Sequence, residues 1–457
     1  MKRIKITRSL TAKTIAFVIL MATCSITSAQ DPDAAKLDEL LSYLEGRNEA
    51  MGSLTISKGG NILYSRATGY RFISEKQKIP ADVHTKYHIW SVTKMYTAAM
   101  ILQLAEEGKL KLENTLDLFF PGVANAHTIT IRDMLSHKSG IHDFTDAGEG
   151  APATPKEQTP AEMLQLISGF KPDFEPGDKF QYSNSNYLLL GYIIERLDGV
   201  PYSTALNNRI ASRTGLSDTY FGRALDTVEN KSLSYQYDKD HWMEVQEGDF
   251  SGLVPGGAGS IVSTPSDMTR FVHGLFTGQL ISKNSLALMT GITGFYGLGI
   301  HLVPDQWSKG FGHGGGYIAS HANLAYYPKD SLAIAFCTNG NSYGIDKIVN
   351  HVLQICYDTS YVLPFKRPAI TVSENILRTY TGTYETSRFR IMIVFENGHL
   401  TAQPVDQPKS ILYAETEKRF FLRDIDIAVE FIPDEAGKVG KLYIFQGERK
   451  MEGKRVD

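Results

Sequence analysis

The sequence predicts an α/β (α+β) fold. It expects an antiparallel sheet flanked by helices, an inserted all-helical lobe, and a small C-terminal all-β domain. Three observations carry that prediction. Strand-like alternation occurs early, in SLTISKGGNILYSRATGY, and returns late, in GFYGLGIHLV, YIASHANLAYYP and SLAIAFCTN. Between these ends the spacing of apolar residues is helical. Beyond Gly382 only short alternating runs separated by turn residues remain.

In chain order, Lys2, Arg3, Lys5, Arg8 and Lys13 precede the apolar run TIAFVILMA and the small residues TSA. This is the layout of a secretory signal peptide over residues 1–29, cleaved after Ala29. The apolar run is short for a membrane span. Lipid attachment at Cys24 is the alternative, for which Thr23 is a poor neighbour. The expectation is therefore an exported chain, periplasmic or secreted. Cleavage leaves 428 residues and removes five positive charges and no negative ones, moving the net charge from −3 to −8. A chain so charged has no general attraction for nucleic acid or anionic lipid.

AAKLDELLSYLEG has helical spacing, and Gly59-Gly60 marks a hairpin in the strand-like run that follows. Helices are expected over Thr93–Glu107 (closed by Gly108), Ile131–Leu135, Pro160–Ile167, Asn186–Leu197 (closed by Gly199) and Pro265–Phe276. After the late strands, IDKIVNHVLQICY reads as one more helix. Residues 30–365 form the first domain. A linker near Leu363–Pro368 and a short helix open the second, 366–457, a small β-barrel or sandwich. Cys337 and Cys356 either pair or remain two buried thiols. The twelve histidines show no metal-ligand spacing, so neither a metal nor a cofactor is expected.

Three segments carry chemistry. In WSVTKMYTAAM, Ser91 and Lys94 lie three apart at a helix start, so the amine reaches toward the hydroxyl. A serine needs a nearby base, and burial brings a lysine toward neutrality. Helix-start N–H groups suit an oxyanion. Alone, a Ser-x-x-Lys spacing arises by chance about once in a chain of this length. In FQYSNSNYLLLG, Tyr182 can shuttle a proton and Asn184 can bind an amide, while Ser183 or Asn184 could simply cap the helix. In FGHGGGYIASH, three glycines let backbone approach a ligand, and His313 could add charge or a hydrogen bond.

Together SVTK, YSN and HGG, in this order, resemble the penicillin-recognising serine hydrolases, in particular the class C β-lactamase and D-alanyl-D-alanine carboxypeptidase branch. IRDMLSHKSGI and PGGAGSIVSTPSDMTRF agree, and the resemblance spans roughly Leu37 to Tyr357. It implies the β-lactamase/transpeptidase-like fold. It also implies Ser91 as acylated nucleophile, Lys94 as base or relay, and Tyr182 as the group serving leaving group and deacylating water. Asn184 would hold the acyl-side amide. His313, Gly314 and Gly315 would stand at the edge-strand motif, and the N–H groups of Ser91 and Gly316 would form the oxyanion hole. Which group takes the first proton stays open.

Two positions depart from the family pattern. Gly314 replaces a Thr or Ser whose hydroxyl helps hold a substrate carboxylate, so weak turnover of carboxylate-bearing β-lactams is expected. Tyr317 or His321 could substitute for it. Trp90 is larger than usual before the nucleophile; it either narrows the pocket or packs beneath the helix start. His137, His142, His84 and His88 are read as structural. The expected function is an exported serine hydrolase acting on an ester, amide, D-amino-acid peptide or lactam. The alternative is a penicillin-binding sensor that acylates without efficient turnover. The expected partner is a small-molecule, peptide or ester substrate, and oligomeric state is open.

Overall fold

The computed structural model describes residues 29–146, 158–222, 230–238, 241–245, 256–292, 294–303, 308–358, 360–363, 366–405, 407–423, 427–434, 437–446 and 449–457. The expected signal peptide lies outside the described residues apart from Ala29, and so does Cys24.

The principal sheet has six antiparallel strands: β1 (Ala50–Lys58), β2 (Asn61–Thr68), β3 (His301–Val303), β4 (Gly310–Tyr317), β5 (Ser320–Tyr327) and β6 (Leu332–Asn341), in the order β3-β4-β5-β6-β1-β2. The two ends of the domain meet where β1 pairs with β6, Ala50 opposite Asn341 and Lys58 opposite Leu332. Both faces of β6 are buried, and its alternation shows it. Ala333, Ala335 and Cys337 face the helical lobe, while Leu332, Ile334 and Phe336 face the terminal helices.

Five helices position the sheet and site: α1 (Ala34–Gly46), α2 (Thr93–Glu106), α3 (Asn184–Asp198), α4 (Pro265–Phe276) and α5 (Ile345–Tyr357). α1 and α5 cover one face of the sheet. α4 covers the other, and α2 and α3 form the centre of the lobe. Every residue of α2 from Thr93 to Leu104 is buried, as befits a helix apolar on all sides. The strand expected through GFYGLGIHLV is shorter than its pattern. Gly297 N–H donates to Ile300 C=O at 2.8 Å and Gly299 takes φ +74°, so only His301–Val303 joins the sheet.

The sheet separates the two cysteines. Cys337 faces the lobe, Cys356 sits among the terminal helices, and both are free and buried. The C-terminal strands β7 (Gly382–Thr386), β8 (Arg390–Glu396), β9 (His399–Pro404), β10 (Ser410–Ala414), β11 (Arg419–Phe421), β12 (Ile427–Pro433), β13 (Val439–Gln446) and β14 (Arg449–Arg455) form a closed barrel. Tyr384 opposite Arg455 closes it, and Tyr380 stacks on Phe431 in its core at 4.3 Å.

Candidate active site

A short 3₁₀ turn, Trp90–Val92, leads directly into α2 and presents Ser91 at the cleft. Trp90 holds φ +47°, a conformation unusual for a large side chain. Its indole packs beneath the turn and does not line the cleft. Nε1 donates to Ser320 Oγ at 2.8 Å, and the ring stacks on His88 at 5.0 Å. Of the two readings of this residue, the packing one describes its surroundings.

Lys94 is fully buried one turn above Ser91. Its Nζ lies 3.1 Å from Ser91 Oγ, 2.8 Å from Asn184 Oδ1 and 2.8 Å from the Ala258 carbonyl. It also lies 4.8 Å from the centre of the Tyr182 ring. Burial pulls its pKa down to about 7, with Asp143 pulling the other way. A neutral amine has two N–H bonds and a lone pair. Asn184 and Ala258 accept the two N–H bonds, which leaves the lone pair for the Ser91 hydroxyl.

Tyr182 lines the cleft with Ser91, close enough for the Ser91 hydroxyl to act on its titration, and lies flat against His137, ring centres 4.3 Å apart. Burial raises its pKa far above the ordinary phenol value, and the nearby Ser91 hydroxyl opposes this only in part. The group beside the nucleophile is thus a protonated phenol. His137 accepts a hydrogen bond from the Ser183 N–H through Nδ1, at 3.1 Å. Burial, then Lys94 and His313, hold its pKa well below the imidazole norm.

α3 starts at Asn184, two residues earlier than its apolar spacing implied. Neither Ser183 nor Asn184 caps it with its own side chain. Instead Asp143 Oδ2 accepts both the Asn184 backbone N–H and its Nδ2, each at 3.0 Å. This aims Asn184 Oδ1 at Lys94. Asp143 is buried, and sequence reasoning passed over it in SHKSGIHDF in favour of the histidines.

Across the cleft, β4 presents HGGG. A Cβ on Gly315 would lie 2.2 Å from the Ile89 carbonyl oxygen and 2.8 Å from Ser91 N, so the strand touches the nucleophile's backbone only because that position is glycine. A Cβ on Gly316 would strike His321 at 2.4 Å, whereas one on Gly314 would meet nothing within 4 Å. His313 is buried. Tyr296 Oη donates to its Nε2 at 2.9 Å, and its Nδ1–H bonds the Gly314 carbonyl. Burial, followed by His301 and Lys94, holds its pKa well below the usual value. His313 is therefore neutral with both nitrogens occupied, and it brings no charge to the site. Tyr296, its partner, was not foreseen.

These groups line an open cleft of about 490 Å³. Ser91, Tyr182, His313, Gly315 and Gly316 all face it; Lys94 and Asn184 stand immediately behind Ser91. Phe180 and Phe295 form an apolar rim, and no Lys or Arg is among the described residues of its lining. Among the described residues no group of three His, Cys, Asp or Glu could hold a metal ion.

Residues 42–354 match the family described as Beta-lactamase, and residues 366–455 match one described as Domain of unknown function (DUF3471). A penicillin-binding protein of Bacillus subtilis (strain 168) is 28% identical over 440 residues, covering 89% of this chain and 96% of its own. Among solved structures, the octameric penicillin-binding protein homologue from Pyrococcus abyssi is 21% identical with a TM-score of 0.64, covering 92% of this chain and 100% of its own. The D-amino acid amidase from Ochrobactrum anthropi SV3 is 24% identical with a TM-score of 0.61, covering 70% and 97%.

Proposed function

This chain belongs to the beta-lactamase family of serine hydrolases, and on that premise we propose that it is an exported hydrolase acting through an acyl-enzyme on Ser91. Its substrates are esters or amides without a carboxylate beside the scissile bond, and it turns over carboxylate-bearing β-lactams poorly. The observation that carries the reading is the convergence on one hydroxyl: Lys94 Nζ at 3.1 Å and the Tyr182 phenol, with the Gly315 backbone against Ser91 N.

In the first step the neutral Lys94 amine takes the Ser91 proton and Oγ attacks the substrate carbonyl. The oxyanion is received by the N–H groups of Ser91 and Gly316. Tyr182, protonated at neutral pH, passes its proton to the departing amine or alkoxide and recovers one from Lys94. Water then attacks the acyl group with the same pair relaying its proton, releasing the acid and restoring Ser91. Export rests on the basic-then-apolar N-terminus of the sequence.

The substrate preference rests on what β4 lacks. Gly314 has no hydroxyl, and His313 is neutral with both nitrogens engaged. Each missing hydrogen bond to a charged group is worth about 1.5–3 kcal/mol, roughly ten- to a hundredfold in binding. A fold neighbour that acts on D-amino acid amides agrees with an amide or ester substrate.

Intact-mass spectrometry with an activated neutral ester and with a penicillin tests the reading. A transient adduct on Ser91 followed by free acid is expected with the ester, and Ser91→Ala removes it. An adduct that persists with every substrate would point to a sensor and overturn the hydrolase.

A further inference from the structure

Building on the acyl-enzyme reading, we propose that the end of the cleft beside α5 is a subsite for a positively charged group of the substrate, an ammonium or guanidinium, received by Asp346 and Asn323. Side chains alternate along β4. His313 and Gly315 face the lobe, so Gly314 and Gly316 face the side of α5. Because a Cβ at Gly314 would meet nothing within 4 Å, the cleft continues over the bare strand to the first turn of α5. There it is lined by Ile345 and Asp346, with His321 and Asn323 of β5 as its floor.

The polar groups at this end share one character. Asp346 is exposed to the cleft and forms no ion pair among the described residues. Asn323 lines the cleft, and its Oδ1 is buried and accepts no hydrogen bond from the described residues. Burial keeps His321 below its usual basicity despite the nearby Asp346, so its imidazole is neutral. The neighbouring Lys347 turns its Nζ over the Tyr343 ring, 5.2 Å from the centroid, and does not line the cleft. The end of the cleft therefore offers a carboxylate and an unused amide oxygen, with no lysine or arginine among the described residues of the lining to balance them. An anionic substituent meets repulsion there, and a cationic one finds two acceptors.

Asp346 also complements the α5 helix dipole, as a first-turn carboxylate does anywhere. That role accounts for neither the idle Asn323 oxygen nor the lack of any lysine or arginine among the described residues of the lining, and it sets no preference among substrates.

The test is a series of activated esters identical but for a terminal ammonium, hydroxyl or carboxylate. Wild type, Asp346→Asn and Asp346→Lys are compared by kcat/KM. Dissociation constants are measured by calorimetry with each Asp346 form in a Ser91→Ala background, where the esters bind without reacting. Wild type should favour ammonium over hydroxyl over carboxylate. The ammonium-to-carboxylate ratio should fall about three- to tenfold in Asp346→Asn and further in Asp346→Lys. A ratio unchanged across the three, or a wild-type preference for the carboxylate, overturns the subsite. If no ester is hydrolysed yet the binding ratio behaves as described, the acyl-enzyme reading fails and the subsite stands.

Discussion

The most consequential number in the site is the pKa of Lys94, drawn from an ordinary 10.5 to about 7 by burial. One pKa unit corresponds to about 1.4 kcal/mol, so protonating this amine inside the fold costs about 5 kcal/mol more than in water. Two consequences can be measured. Only the neutral amine accepts the Ser91 proton, so the single-turnover acylation rate should rise about tenfold per pH unit below 7 and level off above it. Stopped-flow measurement with an activated neutral ester from pH 5 to 9 gives the profile, and in Lys94→Ala the inflection should vanish along with most of the rate. Stability moves in the same direction. Between pH 7 and about 10.4 the unfolded chain keeps a proton on this amine that the folded chain has released, so raising the pH favours folding by up to about 1.4 kcal/mol per unit. Urea unfolding at pH 7, 8 and 9 should therefore show the wild type gaining about 2–3 kcal/mol relative to Lys94→Met. An acylation inflection near pH 7 that survives in Lys94→Ala would refute the assignment of the base. Parallel stability curves for wild type and Lys94→Met would refute the depressed pKa itself.

Three further outcomes follow from the geometry. Asp143→Asn places an amide where a carboxylate now accepts two N–H bonds from Asn184. It should cost about 1–3 kcal/mol in unfolding experiments, lower acylation at least tenfold, and move the pH inflection below 7, since Asp143 now raises the Lys94 pKa. Gly315→Ala drives a methyl to 2.2 Å from the Ile89 carbonyl oxygen. Acylation should be lost with about 1–3 kcal/mol of stability, read by mass spectrometry and thermal melting. Gly314→Ser enters open space and adds the hydroxyl whose absence the proposed substrate preference invokes. Hydrolysis of an anionic cephalosporin, followed by absorbance, should rise about tenfold with no change in melting temperature; an unaltered rate would show that Gly314 does not limit carboxylate recognition.

Much of this site was legible in the sequence because its parts are local. Ser91 and Lys94 share one helical turn, Tyr182 precedes an apolar helix, and the glycines of β4 announce a close backbone approach. What the sequence concealed is non-local. Asp143 matters through a contact with Asn184, 41 residues away, and neither residue's neighbours hint at it. Tyr296 was hidden inside a stretch that looked like strand, yet folds as a turn because Gly297 and Gly299 allow it. Asp346 sat in an amphipathic helix whose first turn welcomes an acid anywhere. In the tail, alternation revealed strands, but only the pairing of the first with the last decides between a closed barrel and a sandwich.

The pairing of β1 with β6 has a consequence in time. Ser91 is made early in synthesis, but the carbonyl that steadies Lys94 belongs to Ala258, and β4 is made later still. Residues 50–58 cannot complete their pairing with β6 until residues 332–341 have been made. Until then Lys94 lacks the full burial that lowers its pKa, and Ser91 lacks the neutral base that the proposed first step requires. On the proposed mechanism, a chain that stops short of β6 is expected to leave Ser91 unacylated by substrate.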